Sequence, residues 1–243
     1  MNLTSQYDFT IVVPIYNEKD NILPLERAFR SYLANCSRSA CVLFVDDGSR
    51  DGSLERIAKI CRRNRGFYYI SFESNAGLSA AIKAGIDYAE SPLVGYIDAD
   101  LQTSPDDFER LLPYADSCAL VTGVRSSRED SLFRLAQSKI ANGFRRVMTG
   151  DGATDTGCPL KVMQSDVAKR IPFFNGMHRF LPALVLLQEG ARYKELPVRH
   201  FPRTAGESKF SLRNRLIGPF VDCLAYRWIR RRYFNYKVNA SNF

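Results

Sequence analysis

Cys41-Val42-Leu43-Phe44-Val45-Asp46-Asp47-Gly48-Ser49 is the stretch that decides how this chain folds. Five apolar residues in a row are too few for a buried helix and suit a strand covered on both faces. The run breaks at two carboxylates and a glycine, the chemistry of a tight turn, and Ser53–Arg63 then reads as a helix. The same strand–turn–helix unit recurs outward. Upstream, Phe9–Pro14 (FTIVVP) passes through Tyr16-Asn17-Glu18 into a helix over Asn21–Ala34, with Ile22, Leu25, Ala28, Phe29 and Leu33 at helical spacing. Downstream come a strand at Phe67–Phe72, a helix at Gly77–Ala89 and a strand at Leu93–Ile97 that runs into Asp98-Ala99-Asp100. Pro105 opens a short helix through Leu112, and Ala119–Val124 is a fifth strand.

Strands separated by helices predict an α/β fold with a mainly parallel central sheet flanked by helices. Ligands of such sheets bind where the strands' carboxyl ends emerge. Tyr16-Asn17-Glu18, Asp46-Asp47 and Asp98/Asp100 all follow strands, so they are expected along one edge. The second half is less regular. Ser131–Met148 reads as a polar, basic helix, Thr154–Met163 mixes turn and strand, and Phe180–Gln188 is an apolar helix. A strand at Tyr193–Val198, a basic Gly/Ser loop at Pro202–Lys209 and a helix at Leu212–Arg232 complete the chain.

Composition narrows the chemistry. In 243 residues, 45% are hydrophobic and 25% charged, ordinary for a globular protein. Six cysteines without a CxxC pair, and only two histidines, argue against a zinc site and fit a reducing cytoplasm. His178 and His200 are read as structural. No apolar stretch approaches the ~20 residues a bilayer span needs, and the amino terminus lacks the basic flank of a signal peptide. Net charge is +8, split between −5 in residues 1–120 and +13 in residues 121–243. An acidic half suits a cation, and a basic half suits phosphate or an anionic surface.

Asp98, Asp100 and Gln102 offer oxygen donors at a strand end, the set that Mg²⁺ or Mn²⁺ prefers beside substrate phosphates. Asp46 or Asp47 can accept hydrogen bonds from a nucleoside or cap the next helix. GxGxxG, GxxxxGK[ST] and HExxH are all absent, which disfavours a dinucleotide enzyme or a P-loop NTPase.

Taken in order, Pro14-Ile15-Tyr16-Asn17-Glu18, Asp46-Asp47-Gly48-Ser49, Asn75-Ala76-Gly77 and Asp98-Ala99-Asp100-Leu101-Gln102 resemble the motifs of family-2 inverting glycosyltransferases of the GT-A fold. Gly123-Val124-Arg125, Arg134…Ser138…Asn142, Asp155-Thr156-Gly157-Cys158 and Arg203-Thr204-Ala205-Gly206-Glu207-Ser208-Lys209 resemble that family's polyprenyl-phosphate branch. The likeness runs over residues 9–232. It implies that Pro14, Tyr16, Glu18, Asp46 and Asp47, with Asn75, Gly77 and Asp155, bind substrate. It implies Mg²⁺ or Mn²⁺ on Asp98, Asp100 and Gln102. Arg125, Arg134 and Ser138 would receive a lipid phosphate, and Arg203 and Lys209 would close over the donor diphosphate. With Asp100, these five form the expected catalytic set. The donor would be a UDP- or GDP-linked sugar and the acceptor a polyprenyl phosphate.

The expected organisation is a catalytic domain over 1–210, with a nucleotide-sugar half (1–120) and an acceptor half (121–210). A basic amphipathic helix and tail follow at 211–243. That helix sets Leu216, Ile217, Phe220, Val221, Leu224 and Trp228 among seven Lys/Arg and implies peripheral attachment to the cytoplasmic face of an anionic membrane. Homo-oligomerisation stays open. One rival within the family is transfer to a saccharide hydroxyl, with Asp155 as the base. Rivals outside it are a nucleic-acid-binding protein, suggested by a pI near 9.2 but lacking a reader motif, and a non-catalytic sugar-nucleotide sensor.

Overall fold

The computed structural model describes residues 3–125, 143–202, 212–236 and 239–240. β1 (Phe9–Ile15), α1 (Ile22–Asn35), β2 (Ala40–Asp46), α2 (Ser53–Arg63), β3 (Phe67–Ser71), α3 (Leu78–Tyr88) and β4 (Leu93–Tyr96) alternate as the hydrophobic pattern requires. A single 3₁₀ turn at Pro105–Asp107 leads into α4 (Phe108–Ala115). α4 continues past Leu112 because Pro113 sits in its last turn, where losing one N–H costs one bond. β5 (Leu120–Arg125), a helix at 143–149 (α5), β6 (Lys161–Gln164), α6 (Ser165–Lys169), α7 (Leu181–Val185), β7 (Tyr193–Val198) and α8 (Leu212–Arg232) complete the described elements. The apolar stretch from Phe180 is divided, a 3₁₀ turn at Met177–Phe180 preceding α7.

The seven strands form one sheet in the order β3-β2-β1-β4-β6-β5-β7. β1 is parallel to β2 and β4, β2 to β3, and β5 to β7. The sheet is thus mainly parallel, as expected, with one reversal. β6 runs antiparallel to both β4 and β5. Those two therefore point the same way, and the start of β6 arrives at the edge where β1, β2, β4 and β5 end.

Side chains alternate across the sheet. Phe9, Ile11, Val13, Phe44 and Val162 pack with Phe29, Ile57, Phe108 and Leu111 on the α1/α2/α4 side. Val12, Leu43, Val45 and Met163 pack with Ala81, Ile82, Leu181, Leu184, Cys223 and Tyr226 on the other. Gly85 lets α3 lie directly on β1, since a Cβ there would come within 2.2 Å of Val12.

β1 and β4 part toward their carboxyl ends, the kind of place where an α/β sheet forms its binding crevice. Their ladder stops at Val12, whereas β1 stays paired to β2 through Ile15. Pro14, buried in β1, has no N–H to carry pairing further.

α8 uses two faces. Cys223 and Tyr226 are buried, the Tyr226 ring stacking on Phe180 at 6.2 Å. Phe220, Val221, Leu224 and Trp228 face solvent, and Phe220 stacks at 5.3 Å on Phe144 of α5. Among the described residues no helix is long and apolar enough to cross a membrane.

Candidate active site

The first two strand-end loops are stitched together by their own polar groups. Asn17 adopts a left-handed backbone (φ 52°), unusual for a residue with a side chain and tolerated best by Asn. Its N–H donates to Ser49 Oγ at 3.0 Å and its Oδ1 accepts from the Arg50 N–H at 2.8 Å. The Glu18 N–H donates to Ser53 Oγ, and the Glu18 carboxylate accepts from Asn21 Nδ2 at 2.7 Å. Tyr16, partly exposed, stands at the mouth of this pair of loops.

Asp46 and Asp47 are both buried and both engaged. Asp46 accepts from Ser71 Oγ at 2.8 Å. Asp47 accepts from the Ala76 N–H at 2.7 Å, the Gly77 N–H at 2.9 Å and Asn75 Nδ2 at 2.8 Å. It therefore supplies the acceptors that the start of α3 lacks. Burial still pushes its pKa above the ordinary carboxylate value, against those N–H bonds. Gly48 makes the junction possible: it has φ +69°, and a Cβ there would lie 2.6 Å from the Ser74 carbonyl carbon. Asn75 and Gly77 thus stand beside Asp47.

The third loop differs. Asp98 and Asp100 follow β4, and both are partly exposed. Leu101 is left-handed at φ 57°, and the Gln102 N–H folds back onto Asp100 Oδ1 at 3.1 Å. Strain of this kind concentrates at functional sites. The Tyr96 hydroxyl donates to Asp98 Oδ1 at 2.5 Å. Burial, then the neighbouring Asp100 charge, push the Asp98 pKa up to about 6.

Across the crevice, Arg125 ends β5. Its Nε and Nη2 grip Asp155 Oδ2 and Oδ1 at 2.8 and 2.7 Å, and its N–H adds a third bond at 3.2 Å. Burial opposes the guanidinium charge, but the Asp155 carboxylate outweighs it and raises the Arg125 pKa. Glu195 on β7 accepts from the backbone of Thr154 and Asp155 and holds that turn. The strap after β7 is tied to the third loop. Arg199 donates its N–H and Nε to buried Asp107 at 2.8 and 2.9 Å, and the Phe201 N–H donates to the Gln102 carbonyl at 2.9 Å.

Tyr16, Glu18, Asp46, Asp47, Asn75, Gly77, Asp98, Asp100, Gln102, Arg125 and Asp155 are therefore brought to one sheet edge, with Pro14 behind them in the strand. Asp155 stands as the partner of Arg125. Arg134, Ser138, Arg203 and Lys209 lie outside the described residues.

Sequence reasoning passed over two groups here. Lys161 is fully buried at the start of β6. Its Nζ donates to the Cys158 carbonyl and, at 3.4 Å, to that of Thr156, and it lies 5.9 Å from the Tyr96 ring centre. Burial lowers its pKa. Its signal was a lysine inside an otherwise apolar run, Leu160–Met163. Ser79, in the first turn of α3, meets His178 Nδ1 at 2.7 Å and accepts from the Gly176 N–H. Burial, then Arg179 and Lys161, drive the His178 pKa down to about 3, so the ring is neutral. That fits the structural role expected of it.

Residues 10–171 match the model of the glycosyl transferase family 2. The chain belongs to that family. It is 33% identical over 220 residues to an undecaprenyl-phosphate 4-deoxy-4-formamido-L-arabinose transferase of Edwardsiella ictaluri, covering 88% of this chain and 67% of the relative. It is 31% identical over 241 residues to a dodecaprenyl-phosphate galacturonate synthase of Rhizobium johnstonii, covering 97% and 70%. Among solved structures, the glucosyl-3-phosphoglycerate synthase of Mycobacterium tuberculosis, in complex with Mn²⁺, UDP-glucose and phosphoglyceric acid, superposes with a TM-score of 0.66. That match has 12% identity and covers 99% of this chain and 85% of the other. A mannosyltransferase of Pyrobaculum calidifontis, in complex with GDP-mannose and Mn²⁺, gives 0.67 at 19% identity, covering 90% and 63%. The family-2 chain is thus a glycosyltransferase of GT-A fold, related to polyprenyl-phosphate sugar transferases.

Proposed function

We propose that this enzyme moves a sugar from a nucleoside diphosphate to a polyprenyl phosphate, with inversion, at the cytoplasmic surface of a membrane. The observation that carries this reading is that the acidic turn Asp98–Gln102 lies near enough to Arg125, held by Asp155, for the Arg125 charge to act on Asp98 across one crevice.

The donor set fits a hard divalent cation. Among the described residues no three His, Cys, Asp or Glu side chains form a complete cage. A cation here would thus rest on Asp98, Asp100 and the Gln102 side-chain amide oxygen, with donor phosphates supplying further oxygens, the habit of Mg²⁺ or Mn²⁺. The Asp98–Asp100 repulsion is what such a charge would relieve. Bound there, the metal would neutralise charge gathering on the leaving diphosphate.

In the transfer, the bond from the anomeric carbon to the donor's β-phosphate oxygen breaks. A new bond forms on the opposite face to an oxygen of the acceptor phosphate. The transition state is oxocarbenium-like, as in glycoside hydrolysis. A phosphate monoester with a second pKa near ~6 is already ionised at neutral pH. It requires no base, but it does require cations to bring it beside the diphosphate. By family likeness, Arg125, Arg134 and Ser138 take the acceptor phosphate, and Arg203 and Lys209 the donor diphosphate. Asp155 clamps Arg125 and leaves Nη1 outside the pair, pre-orienting a group suited to phosphate. This favours a phosphate acceptor over a saccharide hydroxyl, because the carboxylate that would act as base for a hydroxyl is committed to an arginine.

The donor side belongs to residues 1–120, the acceptor side to 121–210 and membrane contact to 211–243. The solvent face of α8, widened by Phe144 and Val147 of α5, would enter the interface. Arg146, Arg227 and Arg231 would add about 1 kcal/mol each near anionic lipid. The deciding experiment offers UDP- and GDP-sugars with polyprenyl phosphate or free polyprenol, with Mn²⁺ or excess EDTA. Transfer to the phosphate alone, and only with metal, is expected. Equal transfer to both acceptors would overturn the acceptor assignment, and full activity in EDTA would overturn the metal.

A further inference from the structure

Tyr96 lies at the last ladder position of β4, opposite Lys161 of β6. It is 4% exposed. Residues two apart on an extended strand share a face, so Tyr96 and Asp98 project to the same side. The phenol hydroxyl has one proton to give, and it gives it to Asp98 Oδ1 at 2.5 Å, the short distance of a bond to a charged acceptor. The ring is buried. It packs among apolar residues that include Val94, Ala81 and Met163, and Lys161 stands over it, itself fastened to the 156–158 turn.

We propose that Tyr96 is a positioning residue for Asp98: its hydroxyl engages one carboxylate oxygen and presents the other to a divalent cation. The inference rests on the metal reading above. A carboxylate's terminal torsion is broad and roughly two-fold, so an unheld Asp98 can offer one oxygen, the other or both. Small octahedral cations take carboxylates through one oxygen, whereas Ca²⁺ readily accepts both. By occupying Oδ1, Tyr96 sets the denticity of Asp98 and biases the site toward Mg²⁺ and Mn²⁺. The tyrosine also joins the two sides of the crevice. Its ring touches the lysine that supports the turn beyond Asp155, so metal side and acceptor side share one buried contact.

The test is Tyr96→Phe, which keeps the ring and deletes one donor. Mn²⁺ is titrated calorimetrically into the full chain saturated with UDP and, in a second series, with GDP. Ca²⁺ is titrated likewise, with wild type and Asp100→Ala in parallel. The proposal expects Mn²⁺ to bind Tyr96→Phe about tenfold more weakly than wild type, with Ca²⁺ affinity unchanged or improved. The ratio of the two affinities is insensitive to the folded fraction, and a merely structural role would not move it. Wild-type binding with the same Mn²⁺/Ca²⁺ ratio in Tyr96→Phe overturns the proposal and leaves the metal reading standing. If wild type binds no Mn²⁺ with either nucleotide, or Asp100→Ala binds it as well as wild type does, the metal reading fails and takes this inference with it.

Discussion

Two acidic turns, Asp46-Asp47 and Asp98-Ala99-Asp100, follow strands β2 and β4, which flank β1 in the sheet. Their surroundings have made them different things. Asp47 is saturated by two backbone N–H groups and an amide, and Asp46 accepts from the Ser71 hydroxyl and, at 3.4 Å, from the Ser49 N–H. Together they brace the loops after β2 and β3. Asp98 has a tyrosine hydroxyl on one oxygen and a second carboxylate for a neighbour, and its pKa rises to about 6. A carboxylate supplied with donors is a strut. One with a single hydroxyl donor and a second carboxylate beside it is, on the function proposed above, half of a cation site. Spacing pointed to Asp98 and Asp100 for a cation but left Asp46 and Asp47 open between nucleoside binding and capping; the donors around Asp47 show the cap.

The comparison can be broken most sharply at Asp100. Asp100→Ala is expected to cut turnover by about 10³-fold, the scale of a metal's several kcal/mol at a transition state. Its melting temperature should stay near wild type. A large fall in melting temperature with modest loss of activity would make Asp100 a strut like Asp47.

Asp47→Ala is expected to do the reverse. It leaves two N–H groups at the start of α3 without their acceptor, a loss of about 2–4 kcal/mol in stability. Urea denaturation measures it. An unchanged midpoint would mean that water replaces the carboxylate and that the brace is not structural.

A third carboxylate, Asp155, extends the contrast to the acceptor side. Arg125→Lys loses the two-pronged grip, because an ammonium cannot reproduce the fork. Polyprenyl-phosphate KM should rise about tenfold, the worth of one charge-assisted hydrogen bond, with donor KM unchanged. Equal rises in both constants would place Arg125 in the general architecture.

The smallest effect concerns acid stability, which must be understood before carboxylate mutants are compared at low pH. Neutral His178 in the fold has a pKa near 3, against ~6.5 when unfolded. Below ~6.5 the unfolded chain takes up a proton that the fold refuses, so stability falls with pH down to about 3. His178→Asn should flatten the slope of unfolding free energy against pH by up to ~1.4 kcal/mol per unit in that window. Denaturation series at pH 7, 6 and 5 would reveal it, and identical slopes would show that the ring takes up its proton as readily in the fold as in the unfolded chain.

Much of this was legible in the residues. Apolar runs of five to seven residues with polar stops, separated by stretches of helical period, determine βαβ units. Those units carry Tyr16, Asp46, Asp98 and Arg125 to one edge, because every parallel strand ends there. The order of the motifs identified the family. Tertiary structure alone decided the rest. The reversal of β6 was hidden in a stretch that mixes turn and strand signals, since direction is chosen by sheet neighbours and not by local propensity. The Arg125–Asp155 grip and the bonds from Asp47 to Asn75–Gly77 join residues 28 to 30 positions apart. The contact of Tyr96 with Lys161 depends on which residue of β6 lies opposite it. A sequence specifies what each side chain can donate or accept. Which donor meets which acceptor is set by register and loop approach, and these exist only once the whole sheet has closed around them.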